Sequence, residues 1–352
     1  MKDKGMKWVI VADVMIAIVV GLLVWASYIE KQEAKKQNQM YAQDIKEHNE
    51  AKTQQKEYDF DLTLMPQNCE GVNGEVDVVL ITDANYMDFT RVAINSAKET
   101  KCKDSKYNFH VMTLDVSEND VNALKALEGE NVSVSVLPQK EIDLFYIRDT
   151  HVSKTSLLKY YIAEVLKNKD KVLYVDSDIL ILHDLNSLYQ TNIDDKYLAA
   201  VKDPSWFFEN GHVVELNLEE RGFYFNSGVM LMNLAKIRND GLLLKLEEYT
   251  NNNFRTYMDQ DAFNVVVGND VSLLDVENNT MNFFFDHNEL KVLADFYGRN
   301  WESYEDVFDG ATIIHFASSK KPLGTVVPKT EMFYMLQRLW YKYYKPLPAL
   351  AD

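Results

Sequence analysis

The stretch KVLYVDSDILIL, residues 171–182, decides how this chain is read. Large apolar residues flank Asp176 and Asp178 on both sides, so two carboxylates sit in a run that otherwise reads as a buried strand. In an extended backbone, positions i and i+2 point to the same face. Like charges placed so in a half-buried site repel each other and are costly to desolvate. A divalent cation removes that cost, and oxygen ligands suit Mg or Mn. The plain alternative is a turn with an Asp cap.

Three clusters further along carry polar groups of the same kind. FYFNSGVMLMNL (223–234) sets Asn226, Ser227 and Gly228 as a polar break between apolar stretches. A glycine there lets backbone approach a ligand closely, although an ordinary turn reads equally from these residues. YMDQDAF (257–263) opens an apolar helix with Asp259, Gln260 and Asp261, where N-capping by Asp259 is the alternative. TIIHFASSKKPL (312–323) puts His315 just after an apolar strand, with Lys320 and Lys321 behind it. A lone His after a strand is more often structural, but one followed by paired Lys suits a metal together with a phosphate.

Upstream the pattern is strand–helix–strand–helix–strand. VDVVLITD (76–83) is a short apolar run ending in Asp83, and residues 86–100 follow with helical spacing. NFHVMTLD (108–115) predicts a second strand, and VSENDVNALKALEG (116–129) a helix with Ser117 as N-cap and Asp120 three residues on. VSVSVLP (132–138) is a third strand, and a further helix is expected at about 153–167. Such alternation predicts an α/β domain whose mainly parallel sheet is flanked by helices. Ligands in these sheets bind at the carboxyl ends of the strands, which directs attention to Asp83, Asp115 and the Asp176–Asp178 pair.

Taken in order, these segments resemble glycosyltransferase family 8, from about Val76 to Leu323. The landmarks are Asp83, Asn85 and Tyr86 after the opening strand, then VLYVDSD, YFNSGVMLMNL, DQDAFN and HFASSKKP. The resemblance implies a single GT-A-type domain that binds a nucleotide sugar and transfers the sugar with retention of configuration. Asp176, Asp178 and His315 would hold Mn2+ (or Mg2+), and the ion would hold the donor diphosphate. Asp83, Asn85 and Tyr86 would lie against the nucleotide, usually uridine, and Lys321 would pair with the diphosphate. Lys159 stands where many members carry Arg, which keeps the charge and loses the bidentate fork. Asp203, Asn226, Asp259 and Gln260 would surround the transferred sugar, with Gln260 or Asp259 near the anomeric carbon. The implied donor is a UDP-sugar, UDP-glucose or UDP-galactose, and the implied acceptor a glycan, a lipid-linked or a protein group. The sequence departs from the family pattern at Ser318, where Gly is frequent, and at Leu323, where an aromatic is frequent, so the closing loop that would carry Ser318 to the donor differs in shape.

Composition narrows the alternatives. The chain has 352 residues with 17 Phe, 20 Tyr and 5 Trp, too many for a solvated, disordered chain. A net charge of −17 excludes nucleic-acid binding through the whole surface. Two Cys exclude a disulfide scaffold and a Cys-rich metal protein, and sequence alone does not say whether Cys69 and Cys102 pair. Residues 1–58 hold nine Lys against eight acidic residues, a net +1, which leaves −18 on residues 59–352. A domain this acidic meets an anionic donor only through a metal or a local group of cations. Two other classes stay open. A haloacid-dehalogenase-like phosphotransferase also uses Asp-x-Asp, but on its first strand, and here the pair comes about 100 residues into the domain. A non-catalytic sugar- or nucleotide-binding module would keep the fold without transfer.

Residues 8–29, WVIVADVMIAIVVGLLVWASYI, are apolar over 22 positions with Asp13 the one charge, the length of a membrane-spanning helix with interfacial Trp and Tyr. A cleaved signal peptide is the alternative; its apolar core is shorter, about 7–15 residues, and no small-x-small site follows here. Lys2, Lys4 and Lys7 favour an N-inside orientation, weakened by Lys31, Lys35 and Lys36. The expected organisation is a tail (1–7), a signal anchor (8–29), a polar stem (30–58) and a transferase domain (59–352). That makes a single-pass membrane protein, in a Golgi or secretory membrane if eukaryotic, and in the cytoplasmic membrane with a cytosol-facing domain if bacterial. Two Asn-x-Ser/Thr triplets, at Asn131 and Asn278, are compatible with the secretory case.

Overall fold

The computed structural model describes residues 68–139, 154–204, 210–253, 257–285, 290–318, 320–323 and 331–344. The expected tail, membrane span and stem lie outside the described residues. No helix among the described residues is long and apolar enough to cross a membrane.

A seven-stranded sheet runs in the order β3–β2–β1–β4–β7–β6–β8. Its strands are β1 (Glu75–Thr82), β2 (Lys106–Thr113), β3 (Val132–Pro138), β4 (Lys171–Val175), β6 (Leu198–Lys202), β7 (Phe225–Asn233) and β8 (Val271–Leu274). A smaller sheet joins β5 (Ile179–Ile181), β10 (Ile313–His315) and β9 (Thr280–Met281). Strand β1 shows why the large sheet forms. Val76, Val78 and Leu80 point into one apolar cluster, Val79 and Ile81 into the other, and all are buried. Alternation with both faces apolar is what a sheet covered by helices on both sides requires. The helix Met87–Thr100 covers the first face; Met258–Val267 and the helices of residues 234–252 cover the second.

Most pairings are parallel, as expected, but β7 runs antiparallel to both β4 and β6. Ser117 caps the helix Glu118–Lys125 in a full capping box with Asp120. The helix expected at 153–167 is instead a 3-10 helix, Lys154–Tyr161, followed by one α-turn, Ile162–Val165. Two readings of the site segments are corrected. Asn226, Ser227 and Gly228 are no break or turn: they lie within the continuous, buried strand β7. The segment 176–178 is not extended strand; it is the kink between β4 and β5, where the chain leaves the large sheet for the small one. The aromatic run Phe283–Phe285 packs inward, with Phe284 and Phe285 buried. Cys69 and Cys102 do pair, closing a disulfide before β1 and ahead of β2, at the sheet's opposite end from Asp83.

Candidate active site

The small sheet assembles the site. In the β10–β5 pairing, His315 stands opposite Ile179, and the Phe316 N–H donates to the Asp178 carbonyl at 2.9 Å. On the other side, the Asp176 N–H donates to the Gly228 carbonyl at 2.7 Å, which pins the kink against β7. The result brings one ligand atom each of Asp176, Asp178 and His315 within 4.8 Å of one another. His315 Nε2 lies 3.5 Å from Asp176 Oδ2 and 3.4 Å from Asp178 Oδ1.

Two observations test whether these residues fit a divalent ion. The donor set, two carboxylates and one imidazole, is one that Mn2+ accepts. The position of Gly228 is the other: a Cβ there would come within 2.2 Å of His315 Cε1 and 2.8 Å of Asp176 Oδ2. Strand β7 passes so close behind the cluster that only glycine leaves it intact. The residues fit the group.

Lysines gather around the carboxylates. Lys159 Nζ sits 2.7 Å from Asp259 Oδ2 and 3.1 Å from Asp176 Oδ1, fully enclosed. Burial opposes its charge, but the two carboxylates outweigh burial and hold the ammonium above its ordinary range. Lys321 Nζ donates to Asp178 Oδ2 and to the Phe316 carbonyl. Burial opposes the Asp178 carboxylate too, and Lys321 with His315 holds its pKa well below the usual value. The Tyr174 hydroxyl donates to Asp176 Oδ1.

A cavity of about 390 Å³ opens over this cluster. Of the residues expected at the site, Asp83, Tyr86, Lys159, Asp176, Asp178, Asn226, Asp259, Gln260 and His315 line it. The others stand back from it. Asp203 lies behind the wall, accepting from Asn226 Nδ2 at 3.0 Å and Gln260 Nε2 at 3.3 Å. Asn85 is exposed on the turn that Asp83 organises, where Asp83 Oδ1 accepts the Asn85 and Tyr86 N–H groups and Oδ2 the Thr155 hydroxyl. Ser318 is held by Asn282, whose Nδ2 donates to its Oγ at 3.0 Å and whose Oδ1 accepts its N–H at 3.2 Å. The Ser318 hydroxyl therefore ties this stretch to Asn282. Asp259 does not cap its helix: Tyr257 is the N-cap residue, and Asp259 faces Lys159 and Ser227 Oγ.

Sequence reading named Asp261 only as one of the acids opening a helix and gave Asn279 and Asn282 no role at the site; all three are fully buried. Asp261 Oδ1 accepts from Tyr224 Oη at 2.6 Å and lies 2.8 Å from His212 Nε2. No residue pattern marked the two amides: Asn279 and Asn282 sit in VENNTMNFFF among other polar residues, and it is their burial, which demands a specific hydrogen-bond partner, that sets them apart.

The comparisons with known proteins agree with this geometry. A model of the family described as Glycosyl transferase family 8 matches residues 77–323. The chain is similar to general stress protein A of Bacillus subtilis, 25% identical over 182 residues, which is 50% of this chain and 61% of that protein. It is also similar to glycosyltransferase GlyD of Streptococcus pneumoniae, 24% identical over 279 residues, 76% of this chain and 30% of that protein. The chain thus spans only part of the length of either relative. Among solved structures, the galactosyltransferase LgtC in complex with donor and acceptor sugar analogues matches with a TM-score of 0.64 at 23% identity, over 78% of this chain and 98% of that one. That likeness concerns the fold, which is GT-A-like.

Proposed function

The chain belongs to glycosyl transferase family 8, and from that premise we propose that it moves a hexose from a UDP-sugar to a glycan, lipid-linked or protein acceptor with retention of configuration. The observation that carries the reading is the Asp176–Asp178–His315 cluster at the floor of the cavity, with Gly228 cut away beneath it. Asp176, Asp178 and His315 would hold a divalent ion, Mn2+ or Mg2+, which would supply Lewis-acid stabilisation to the leaving diphosphate.

The chain's own residues do the rest. The sugar–phosphate bond breaks as a bond from the acceptor oxygen to the anomeric carbon forms on the same face. The acceptor proton passes to the leaving phosphate. Negative charge grows on the diphosphate; Lys321, seated on the lining residue Asp178, is the cation this reading assigns to it, with Lys159 in the cavity wall beside Asp176. Positive charge grows on the sugar, and Asp259 borders that side of the cavity, oriented by Lys159 and Ser227. Gln260 is braced at both ends: its Oε1 accepts the Ser227 N–H at 3.0 Å and its Nε2 donates to Asp203. Such bracing fixes a polar side chain against the donor without reorganisation. Asp83, Asn85 and Tyr86 form the nucleotide side of this reading, with Ser318 holding the loop that carries Lys321.

The compartment belongs to the same proposal. Residues 8–29 anchor the chain, residues 30–58 form a stem, and the transferase domain begins at 59. The Cys69–Cys102 bridge supports a domain facing an oxidising space, because cytosolic thiols are kept reduced.

The test is UDP release from a panel of UDP-sugars by the full-length chain, with and without Mn2+. Release with one sugar, dependent on metal, names the donor. A folded protein that turns over none of them is a binding module or takes another nucleotide.

A further inference from the structure

A chain of amides runs through the wall of the cavity, and its hydrogen-bond polarity can be worked out from a single fixed point. That point is the Gly228 N–H, a backbone group that only donates, 2.9 Å from Asn226 Oδ1. Asn226 therefore turns its oxygen to Gly228 and its amino group away, where it meets the Asp203 carboxylate at 3.0 Å, an acceptor as required. Asn279 contacts the same Asn226 oxygen at 2.9 Å, so it must present its amino group there. Its own oxygen is then left facing His315 Nδ1 at 3.0 Å. An amide oxygen only accepts. The His315 proton must sit on Nδ1, and in the neutral ring Nε2 holds a lone pair toward Asp176 and Asp178.

From this geometry we infer that Asn279 is a positioning residue for the metal centre: it fixes the tautomer and ring plane of His315 so that Nε2 is the coordinating nitrogen. The inference rests on the metal reading given above and adds a residue to it. Asn279 has no solvent exposure, and Asn226 and His315 are buried. The alternative tautomer would set an N–H against two carboxylates and a lone pair against an amide oxygen. The same amide line continues through Asn226 to Asp203 and Gln260, so the ligand is locked to the groups that face the sugar. Outer partners of this kind orient a histidine and raise its basicity, and losing one costs about 10–100-fold in metal affinity.

The experiment reads metal and tautomer separately, without turnover. Mn2+ is titrated into full-length protein without donor, and unbound Mn2+ is followed by EPR. Asn279→Leu removes both hydrogen bonds and is expected to weaken Mn2+ about 10–100-fold. Asn279→Asp keeps an acceptor for Nδ1–H but sets its second oxygen against Asn226 Oδ1, so it loses that one hydrogen bond and is expected to bind Mn2+ more tightly than Asn279→Leu. In parallel, the metal-free parent labelled with 15N-histidine gives the His315 tautomer by long-range 1H–15N correlation, with His315→Gln for assignment, well above the ordinary histidine pKa of about 6.5. A protonated Nδ1 and an unprotonated Nε2 are expected. An Nε2–H tautomer, or parental Mn2+ affinity in folded Asn279→Leu, overturns the inference. The parent spectrum decides it even if the Leu variant does not fold. A parent that binds no Mn2+ sinks the metal reading instead.

Discussion

Carboxylates gather beyond both ends of strand β1, at Asp77 near its start and around Asp176 and Asp178 past its finish, and the two groups are treated differently. Near its start, Asp77 accepts from Lys169 Nζ at 2.7 and 2.9 Å, from His110 Nε2 at 2.8 Å and from Asn108 Nδ2 at 3.3 Å. Asp77 faces a lysine, a histidine and an amide, and the neighbouring Glu75 takes Lys106 and the same Asn108 amide. Beyond its other end, Asp176, Asp178 and Asp259 crowd around Lys159, Lys321 and His315 beside an open cavity. At the base, acid and base satisfy one another with nothing further to bind. At the cavity, three acids converge where the backbone has been cut back to glycine. The arrangement of partners, more than burial itself, separates a structural charge from one placed for a ligand.

The sharpest way to break this contrast is to neutralise each end. Asp176→Ala/Asp178→Ala should reduce metal-dependent UDP release by about 10³-fold or more, the scale of several kcal/mol of lost charge stabilisation. Asp77→Asn should leave the rate of the folded protein within about two-fold, while lowering stability by about 2–3 kcal/mol as Lys169 and His110 lose their carboxylate. Equal losses of activity at both ends would mean that the base also serves the reaction.

The disulfide probes the base alone. It closes a separation of 33 residues, for which chain entropy gives about 3–4 kcal/mol. Cys102→Ser should therefore lower the melting temperature by roughly 7–15 °C with turnover unchanged below the transition. Lost turnover in the folded variant would show that the two ends are coupled.

The cavity end can be tested without touching a charge. Gly228→Ala places a methyl group against His315 and Asp176. Mn2+ affinity, measured by calorimetry, should fall about 10–100-fold, the loss expected when a ligand is displaced from its supported orientation. Unchanged affinity would mean that β7 yields and that the glycine is there for another reason.

Much of this was legible before the fold. The alternating strands and helices, the Asp176–Asp178 pair and His315 all stood out because carboxylates and a histidine are costly in apolar runs. What sequence could not give was the role of β7 and the kink. Asn226 to Gly228 read as a polar break between two apolar stretches, with a turn as the alternative, because polar residues and glycine usually interrupt regular structure. Here they are strand, kept so by pairing with neighbours distant in sequence. Asn279 was invisible for a related reason. Its meaning lies in its contacts with Asn226 on β7 and His315 on β10, residues far from it in sequence that the folded chain brings together. Asp77 was passed over as one more residue of an apolar strand, since its partners His110 and Lys169 are supplied by β2 and by the loop before β4.

The smallest effect concerns that last residue and asks whether its charge is structural. Burial would raise the Asp77 pKa, but hydrogen bonds from His110 and Lys169 outweigh it and hold the pKa below the ordinary carboxylate value. The unfolded chain therefore binds this proton more readily than the folded one as pH falls past about 4. The stabilisation is present above that pH and drains away below it, as the folded carboxylate is finally protonated. Asp77→Asn removes this contribution. Its stability deficit in urea should be full at neutral pH and shrink as the pH drops below about 4. Asp178, depressed for similar reasons at the other end, remains in both proteins and cancels in the difference. A deficit that stays constant down to pH 3 would show that Asp77 contributes through packing and neutral hydrogen bonds, and the base would then lose its standing as the site of reciprocated charge.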